Sequence, residues 1–154
     1  MEIEIHNLLI KCNKSISFAE SITGGAMAYR MVKNPGCSAY FLGSLVTYSR
    51  GAKQELLSVS AKTIDMFGEV SCEVAAEMSL GALQTFHSDF AVAITGIAGP
   101  TGETATKPLG MVCFALSSKE KETISWTDFF QGERLFVIDR AVEAALKQLY
   151  DYIS

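Results

Sequence analysis

The spacing of apolar residues changes along the chain, and each spacing predicts a type of element. Residues 2–12 carry Ile5, Leu8 and Leu9 at helical intervals, which predicts a helix packed by one face. Residues 134–152 show the same period over a longer stretch. The apolar side of that stretch contains Val137, Ala141, Ala144, Ala145 and Leu149. Further helices are predicted at residues 24–32, from the turn at 50–51 through 57, and at 61–67 and 72–87.

Capping and breaking residues mark the ends of these helices. Pro35 ends the second helix, because the residue before a proline is disfavoured in helical conformation. Ser60 and Ser71 stand directly before helical segments, where a serine side chain accepts a hydrogen bond from a free backbone N–H. We therefore expect both serines to be N-caps.

Short continuous apolar runs predict strands that are buried on both faces of a sheet. The runs span residues 15–19, 39–49, 89–100, 109–118 and 123–130, and the third ends in a glycine-rich loop. Helices and strands alternate in the first half of the chain, and strands cluster in the second half. This order predicts one α/β domain over residues 1–154, a three-layer α/β/α sandwich with a mixed sheet.

Composition narrows the class of protein further. With 49% hydrophobic and 19% charged residues, a compact domain is expected rather than disorder. The net charge of −4 and the lack of a basic run argue against a nucleic-acid partner. No apolar run is long enough to span a membrane, and the N-terminus lacks the pattern of a signal peptide. We expect a cytoplasmic protein that binds neither nucleic acid nor membrane.

Two segments rich in small and polar residues follow predicted strands: ESITGG at residues 20–25 and TGIAGP at residues 95–100. In open α/β sheets, ligands bind beyond the carboxyl ends of the strands. Backbone N–H groups at such glycines can approach an anion, and the first segment also begins a helix. Neither segment has the pattern of a phosphate loop or of GxGxxG. Glycines needed only for turn geometry explain the two segments equally well.

Ser21 is a candidate nucleophile if a nearby group can take its proton. His6 and His87 are poor partners, since one lies within the first helix and the other at the end of a helix. Lys53 follows a strand end that carries Tyr48, and a lysine becomes a base where burial lowers its pKa. From spacing alone, an exposed lysine is the more common outcome.

The cysteines offer one alternative site. Cys72 lies at a predicted helix N-terminus, where a thiolate is stabilised, although a small apolar residue packed in the first turn is the simpler interpretation. The four cysteines form no CxxC pair, so we expect no metal site.

Several motifs together resemble one known family, the CinA C-terminal domain or nicotinamide-nucleotide amidase (NMN deamidase) family. The motifs are AESITGG at 19–25, GSLVTYSRGAK at 43–53, VS at 70–71, ITGIAGPTG at 94–102, KPLG at 107–110 and FQGER at 130–134. They keep the family's order and approximate spacing over nearly the whole chain. The resemblance is to the stand-alone form, without the molybdopterin-binding-like domain that precedes the module in many members.

The resemblance implies hydrolysis of the carboxamide of nicotinamide mononucleotide (NMN), in pyridine-nucleotide recycling, without a cofactor. It assigns catalysis to Ser21, Tyr48 and Lys53, with Lys53 acting directly or through Tyr48. Backbone N–H groups of residues 23–25 are expected to stabilise the oxyanion. The substrate-binding residues would be Thr23, Gly24, Gly25, Thr95, Gly96, Ala98, Gly99 and Arg134. The family also tends to form homo-oligomers.

Two departures from the family pattern bear on activity. Ile22 replaces a common cysteine and is expected to pack away from the site, and Ile138 stands where a second arginine is usual. Arg140 lies about half a turn farther round the helix. A non-catalytic nucleotide-binding or interaction module is therefore the alternative function. The role of Glu20, as an orienting residue or as a partner of Lys53, is left open by the sequence.

Overall fold

The fold, described over residues 1–154 by a computed structural model, is a five-stranded sheet between two layers of helices. The helices are α1 (Glu2–Cys12), α2 (Ala26–Val32), α3 (Arg50–Leu57), α4 (Ala61–Phe67), α5 (Cys72–Phe86) and α6 (Arg134–Ile153). The strands are β1 (Ile16–Glu20), β2 (Phe41–Val46), β3 (Phe90–Gly96), β4 (Met111–Ser118) and β5 (Ile124–Phe129). None of these helices combines the length and the apolar character that crossing a membrane requires. The predicted three-layer α/β sandwich is confirmed.

The sheet has the strand order β2-β1-β3-β4-β5. Strand β1 is parallel to both β2 and β3, whereas β4 is antiparallel to β3 and to β5, so the sheet is mixed as predicted. Because β1 and β3 are parallel neighbours, their carboxyl ends meet at one edge, where Glu20 pairs with Ile94. The segments that follow these two strands therefore lie side by side.

The two faces of the sheet carry side chains of different size. One face presents Phe18, Ile94 and Phe114, which pack against α1, α2 and α6 in the larger core cluster. The opposite face presents Ala19 and other small residues, which pack against α3, α4 and α5 in smaller clusters. Small side chains allow a helix to approach the sheet closely, so α5 lies directly on the strands.

A glycine allows α5 to pack closely against the end of α3. A Cβ atom at Gly81 would overlap the carbonyl oxygen of Leu57, the last residue of α3. Leu57 itself is buried in the cluster beneath α5. This close contact fixes α3, the helix that carries Lys53, against the rest of the domain.

Two sequence predictions differ from the structure in detail. Strand β2 is shorter than the predicted 39–49, because a 3₁₀ turn precedes it and Ser49 leaves the sheet to cap α3 by accepting a hydrogen bond from Ala52 N. Ser71 caps α5 as predicted and accepts from Val74 N at 3.2 Å. Ser60 occupies the cap position of α4, but its side chain makes no capping hydrogen bond.

Candidate active site

A cavity of about 220 Å³ opens at the edge where β1 and β3 end. Its wall comes from residues that are distant in sequence but meet at this edge. The lining residues are Ser21, Ile22, Tyr48, Lys53, Glu69, Val70, Thr95, Gly96, Ile97, Ala98, Gly99, Thr101, Gly102 and Arg134. Eight of the eleven residues proposed from the sequence are among them. Thr23, Gly24 and Gly25 are not, and they lie behind Ser21 at the start of α2.

Ser21 and Lys53 are in direct contact in this cavity. Lys53 is almost fully buried, and its Nζ lies 3.0 Å from Ser21 Oγ. The backbone of Ser21 is itself held by β3, because Ser21 N donates to the carbonyl of Ile94. The side chain of Lys53, from α3, therefore meets Ser21 at the edge of the sheet, at the distance of a hydrogen bond.

The surroundings of Lys53 favour its neutral form. Burial lowers the pKa of Lys53, and the carboxylate of Glu69, whose Oε1 lies 3.8 Å from Nζ, opposes that effect only in part. Two backbone carbonyls, of Thr47 at 2.8 Å and Tyr48 at 3.3 Å, accept hydrogen bonds from Nζ. A neutral amine has two N–H groups for these two carbonyls and one lone pair left for the hydroxyl hydrogen of Ser21.

The phenol of Tyr48 lies at the mouth of the cavity rather than between Ser21 and Lys53. Its side chain is largely exposed, and its hydroxyl accepts a hydrogen bond from Arg134 Nη2 at 3.0 Å. Lys53 instead contacts the backbone carbonyl of Tyr48. A proton relay through the phenol is therefore not the arrangement in this structure, since Lys53 reaches Ser21 directly.

Glu20 stabilises the start of α2, which answers the question that the sequence left open. Its side chain is fully buried and accepts five hydrogen bonds. The donors are Thr23 Oγ1, Ser44 Oγ and the backbone N–H groups of Gly25, Met27 and Ala28. A carboxylate is favoured at a helix N-terminus, where the free N–H groups and the helix dipole are positive. Glu20 is therefore a buried cap, not a partner of Lys53.

This cap corrects the predicted oxyanion site. The N–H of Gly25, which has the left-handed φ of 105°, donates to Glu20, and the N–H of Gly24 donates to the carbonyl of Ser21. These two groups are thus engaged within the protein. By contrast, the N–H groups of Ile22, Ala98 and Gly99 have no partner in the protein, and all three residues line the cavity.

We expect Glu20→Gln to destabilise the fold by about 2–4 kcal/mol, because an amide NH₂ would face N–H donors and leave several buried groups unpaired. Urea denaturation measures this change. Glu77→Gln is the matched control, since Glu77 accepts only two hydrogen bonds and is partly exposed. A loss at Glu20 no larger than that at Glu77 would contradict the capping role.

The end of β3 and the loop after it provide one wall of the cavity, which includes Thr95, Gly96, Ala98 and Gly99. Thr95 is buried, and its Oγ1 donates to the backbone carbonyl of Glu69 at 3.0 Å. Arg134 Nη1 donates to the carbonyl of Gly99 at 2.9 Å, which connects the loop to the start of α6. Arg134 and Lys53 are the only cationic residues in the cavity wall.

Of the remaining sequence candidates, only Ile22 borders the cavity. Ile138 packs against the core, and the guanidinium of Arg140 stacks over the ring of Phe136, so neither supplies a second cation to the cavity. Ile22 packs in the core as expected, but it also lines the cavity, so the expectation that it points away from the site is wrong. The thiol of Cys72 lies 3.2 Å from Thr127 Oγ1 and outside the cavity.

Known proteins place the chain in a family. A family model described as the CinA C-terminal domain matches residues 1–153. The chain belongs to the CinA C-terminal domain family. This confirms the family that the sequence motifs resemble.

Individual relatives agree with this assignment. A CinA-like protein of Fervidobacterium nodosum is 44% identical over 94% of this chain, which spans 35% of that relative. The competence damage-inducible protein A of Klebsiella pneumoniae has a similar structure, with a TM-score of 0.94 and 33% identity over 97% of this chain and 92% of that one. A CinA superfamily protein of Escherichia coli gives a TM-score of 0.92 and 33% identity over 96% and 86% of the two chains. The chain thus spans about a third of the length of the curated relatives that it matches.

Sequence reasoning missed two features of this site. Glu69 precedes the predicted cap Ser71 in a connecting segment, and nothing in its local pattern indicates that it faces Lys53. The free N–H of Ile22 was overlooked because the glycines at 24–25 offered a more familiar pattern. The available signal was the position of Ile22 directly after the candidate nucleophile, because the backbone N–H of that residue forms part of the oxyanion hole in some hydrolases.

Proposed function

We propose that this CinA-family chain hydrolyses the carboxamide of NMN to nicotinic acid mononucleotide and ammonia, with Ser21 as the nucleophile. The observation that carries the proposal is the buried amine of Lys53, 3.0 Å from Ser21 Oγ. A buried lysine is rare in proteins unless its charge is paired or its amine is used as a base. A serine hydroxyl beside a neutral amine supplies the nucleophile and the base that acyl transfer requires.

In the proposed first step, Ser21 Oγ attacks the amide carbon while its proton moves to the lone pair of Lys53 Nζ. The electron pair of the carbonyl π bond moves onto oxygen, which gives a tetrahedral intermediate with an oxyanion. The new ammonium of Lys53 then has three N–H groups for Ser21 Oγ, Thr47 O and Tyr48 O, so the charge is satisfied where it develops.

In the proposed second step, Lys53 returns the proton to the amide nitrogen, the C–N bond breaks and ammonia leaves. The product is an ester between Ser21 and the nicotinoyl group. Water then attacks this ester, with the neutral amine of Lys53 again accepting a proton. The bond between the acyl carbon and Ser21 Oγ then breaks, Lys53 gives its proton to Ser21 Oγ, and nicotinic acid mononucleotide is released with both residues in their starting states.

The oxyanion and the phosphate of the substrate need separate partners. The unpartnered N–H groups of Ile22, Ala98 and Gly99 are the donors that the cavity offers to the oxyanion, each worth about 10²–10³ in rate in comparable sites. The guanidinium of Arg134 would bind the phosphate, since two of its five N–H groups are engaged with Gly99 and Tyr48. Tyr48 would orient Arg134 rather than carry a proton.

An ammonia-release assay with NMN, nicotinamide riboside and nicotinamide side by side tests the proposal. We expect NMN to have the highest kcat/KM, because it alone carries the phosphate that Arg134 would bind. If none of the three amides releases ammonia above the enzyme-free rate, the chain is not an amidase of this class.

The pH dependence of kcat should follow the deprotonation of Lys53. Because the base must be neutral, the rate is expected to rise with pH through a pKa that burial places below the ordinary lysine value of about 10.4. The carboxylate of Glu69 raises that pKa, so Glu69→Gln should move the rising limb to lower pH. Rate profiles for both proteins measure the displacement, and a limb that stays in place or moves to higher pH would contradict the role of Lys53.

The alternative of a non-catalytic binding module is less well supported by this geometry. A site that only binds a nucleotide has no need of an amine buried against a serine hydroxyl, because the desolvation of that amine weakens the fold. Binding of NMN without ammonia release would favour the alternative.

A further inference from the structure

Two cysteine thiols meet outside the cavity, between the start of α5 and strand β4. Cys72 Sγ and Cys113 Sγ both contact one hydroxyl, Thr127 Oγ1, at 3.2 Å and 3.6 Å. The two sulfur atoms are therefore no farther apart than these two contacts laid end to end. Neither thiol takes part in the proposed amide hydrolysis, so this pair of reactive groups has no role in the chemistry at Ser21.

The packing around the pair brings the two backbones close together. Cys113 forms a small buried cluster with Ala75 and Ala115, and Cys72 packs against that cluster. Small side chains let α5 approach β4 closely. Close backbones are a condition for a disulfide, because bridged cysteines have Cα atoms about 4.4–6.8 Å apart. Both thiols are free, so the structure shows the pair in its reduced form.

The two thiols differ in access and in acidity. Cys72 is half-buried, whereas Cys113 is fully buried. Burial, and to a smaller extent the neighbouring Cys72 thiol, raises the pKa of the Cys113 thiol to about 11. Cys113 is consequently protonated at neutral pH and shielded from solvent. A small reagent in solution therefore meets Cys72 first.

Both cysteines are connected to the wall of the cavity. Cys113 is the cross-strand partner of Thr95, whose Oγ1 donates to the backbone carbonyl of Glu69 at 3.0 Å. Glu69 and Val70 line the cavity, and α5 begins shortly after them at Cys72. A covalent bond between the two sulfur atoms would therefore tie the segment before α5 to the sheet, beside the hydrogen bond of Thr95.

We propose that Cys72 and Cys113 form a reversible disulfide that fixes the segment carrying Glu69 and Val70 against the sheet. The oxidant is a small-molecule disulfide, and free thiols reverse the reaction. The domain thus has a reduced state, in which this wall segment is held without a covalent link, and an oxidised state, in which the link is present. The bridge forms whether or not Ser21 is a nucleophile.

Two exchange steps account for all atoms and electrons. In the first, the Cys72 thiolate attacks one sulfur of the oxidant, the S–S bond of the oxidant breaks, and one small thiolate leaves and takes up a proton. In the second, Cys113 gives its proton to solvent through the Thr127 hydroxyl, its sulfur attacks Cys72 Sγ, and the second small thiolate leaves. The two cysteines lose two electrons, and one small disulfide is reduced to two thiols.

Oxidised glutathione is the probe for the bridge. After incubation, peptide mapping under non-reducing conditions should find a Cys72 peptide joined to a Cys113 peptide with the loss of two hydrogen atoms, and dithiothreitol should separate them. The exposed Cys12 shows whether the oxidant is active, since it should carry a glutathionyl adduct. An adduct on Cys12 without the joined peptides would overturn the inference.

Single variants resolve the order of the two steps. Cys113→Ser should stop the reaction at the mixed disulfide, so that Cys72 gains a glutathionyl group. Cys72→Ser should leave Cys113 unmodified in the folded protein, because Cys113 is fully buried. Cys12→Ser is the matched control and should form the joined peptides as the parent does. A Cys72→Ser protein in which Cys113 reacts as fast as Cys12 would contradict the assigned order.

Hydrogen exchange measures the effect on the cavity wall. In the oxidised protein, the backbone amides of residues 68–76 should exchange about tenfold more slowly than in the reduced protein, because the bridge restricts local opening. The Cys72→Ser protein, treated with the same oxidant, should keep the exchange rates of its untreated form. Equal exchange in the two states of the parent would show that the disulfide does not fix this segment, and the proposed connection to the cavity would be wrong.

Discussion

Ser21→Ala is expected to lower ammonia release from NMN by about 10⁴-fold or more, because the variant has no oxygen to form the acyl bond. The fold should be retained, since the Ser21 side chain contacts only Lys53 among the hydrogen-bonding groups. A coupled ammonia assay under saturating NMN measures the rate, and circular dichroism verifies the fold.

Ser79→Ala provides the control for Ser21→Ala. Ser79 is also buried, but it lies on α5, bonds to Ser117 at 2.7 Å and does not line the cavity. This substitution should cost about 1 kcal/mol of stability and leave the rate unchanged. A Ser21→Ala protein that keeps the parental rate would exclude Ser21 as the nucleophile.

Lys53→Met is expected to lower the rate by about 10²–10⁴-fold, the usual contribution of a positioned general base. Methionine preserves much of the side-chain volume but has no side-chain nitrogen that could accept the Ser21 proton. The residual rate should lose the rising pH limb assigned to Lys53. Rate profiles of the parent and the variant measure both effects.

Lys62→Met is the matched control for this variant. It makes the same substitution at an exposed position on α4. It should leave both the rate and the pH profile as in the parent. A Lys53→Met protein with an unchanged profile would show that the base is another group.

The sequence carries enough information for the fold and for the main pair of site residues. Continuous apolar runs identify the strands, and ligands bind beyond the carboxyl ends of strands in such sheets, so the segments after β1 and β3 could be named as candidate sites. Ser21 follows one of these strands directly. Lys53 could be favoured only through the family resemblance, because nothing in its local spacing distinguishes a buried lysine from an exposed one.

The contacts that the sequence did not predict depend on the direction of side chains across distant elements. Tyr48 was expected within the second strand but lies after it, and its phenol is oriented by Arg134, 86 positions later in the chain. Glu20 was ambiguous because a carboxylate before a helix is compatible with a cap and with an ion pair. Glu69 lies in a connecting segment, and only the packing of α5 against the sheet brings it beside Lys53.

Hydroxylamine trapping tests the central claim, nucleophilic attack by Ser21, most directly. An ester at Ser21 is predicted to react with hydroxylamine as well as with water, so the protein should convert NMN to the corresponding hydroxamate in proportion to hydroxylamine concentration. The Ser21→Ala protein should form none. Ammonia release that yields only nicotinic acid mononucleotide at every hydroxylamine concentration, or equal hydroxamate from both proteins, would contradict the account.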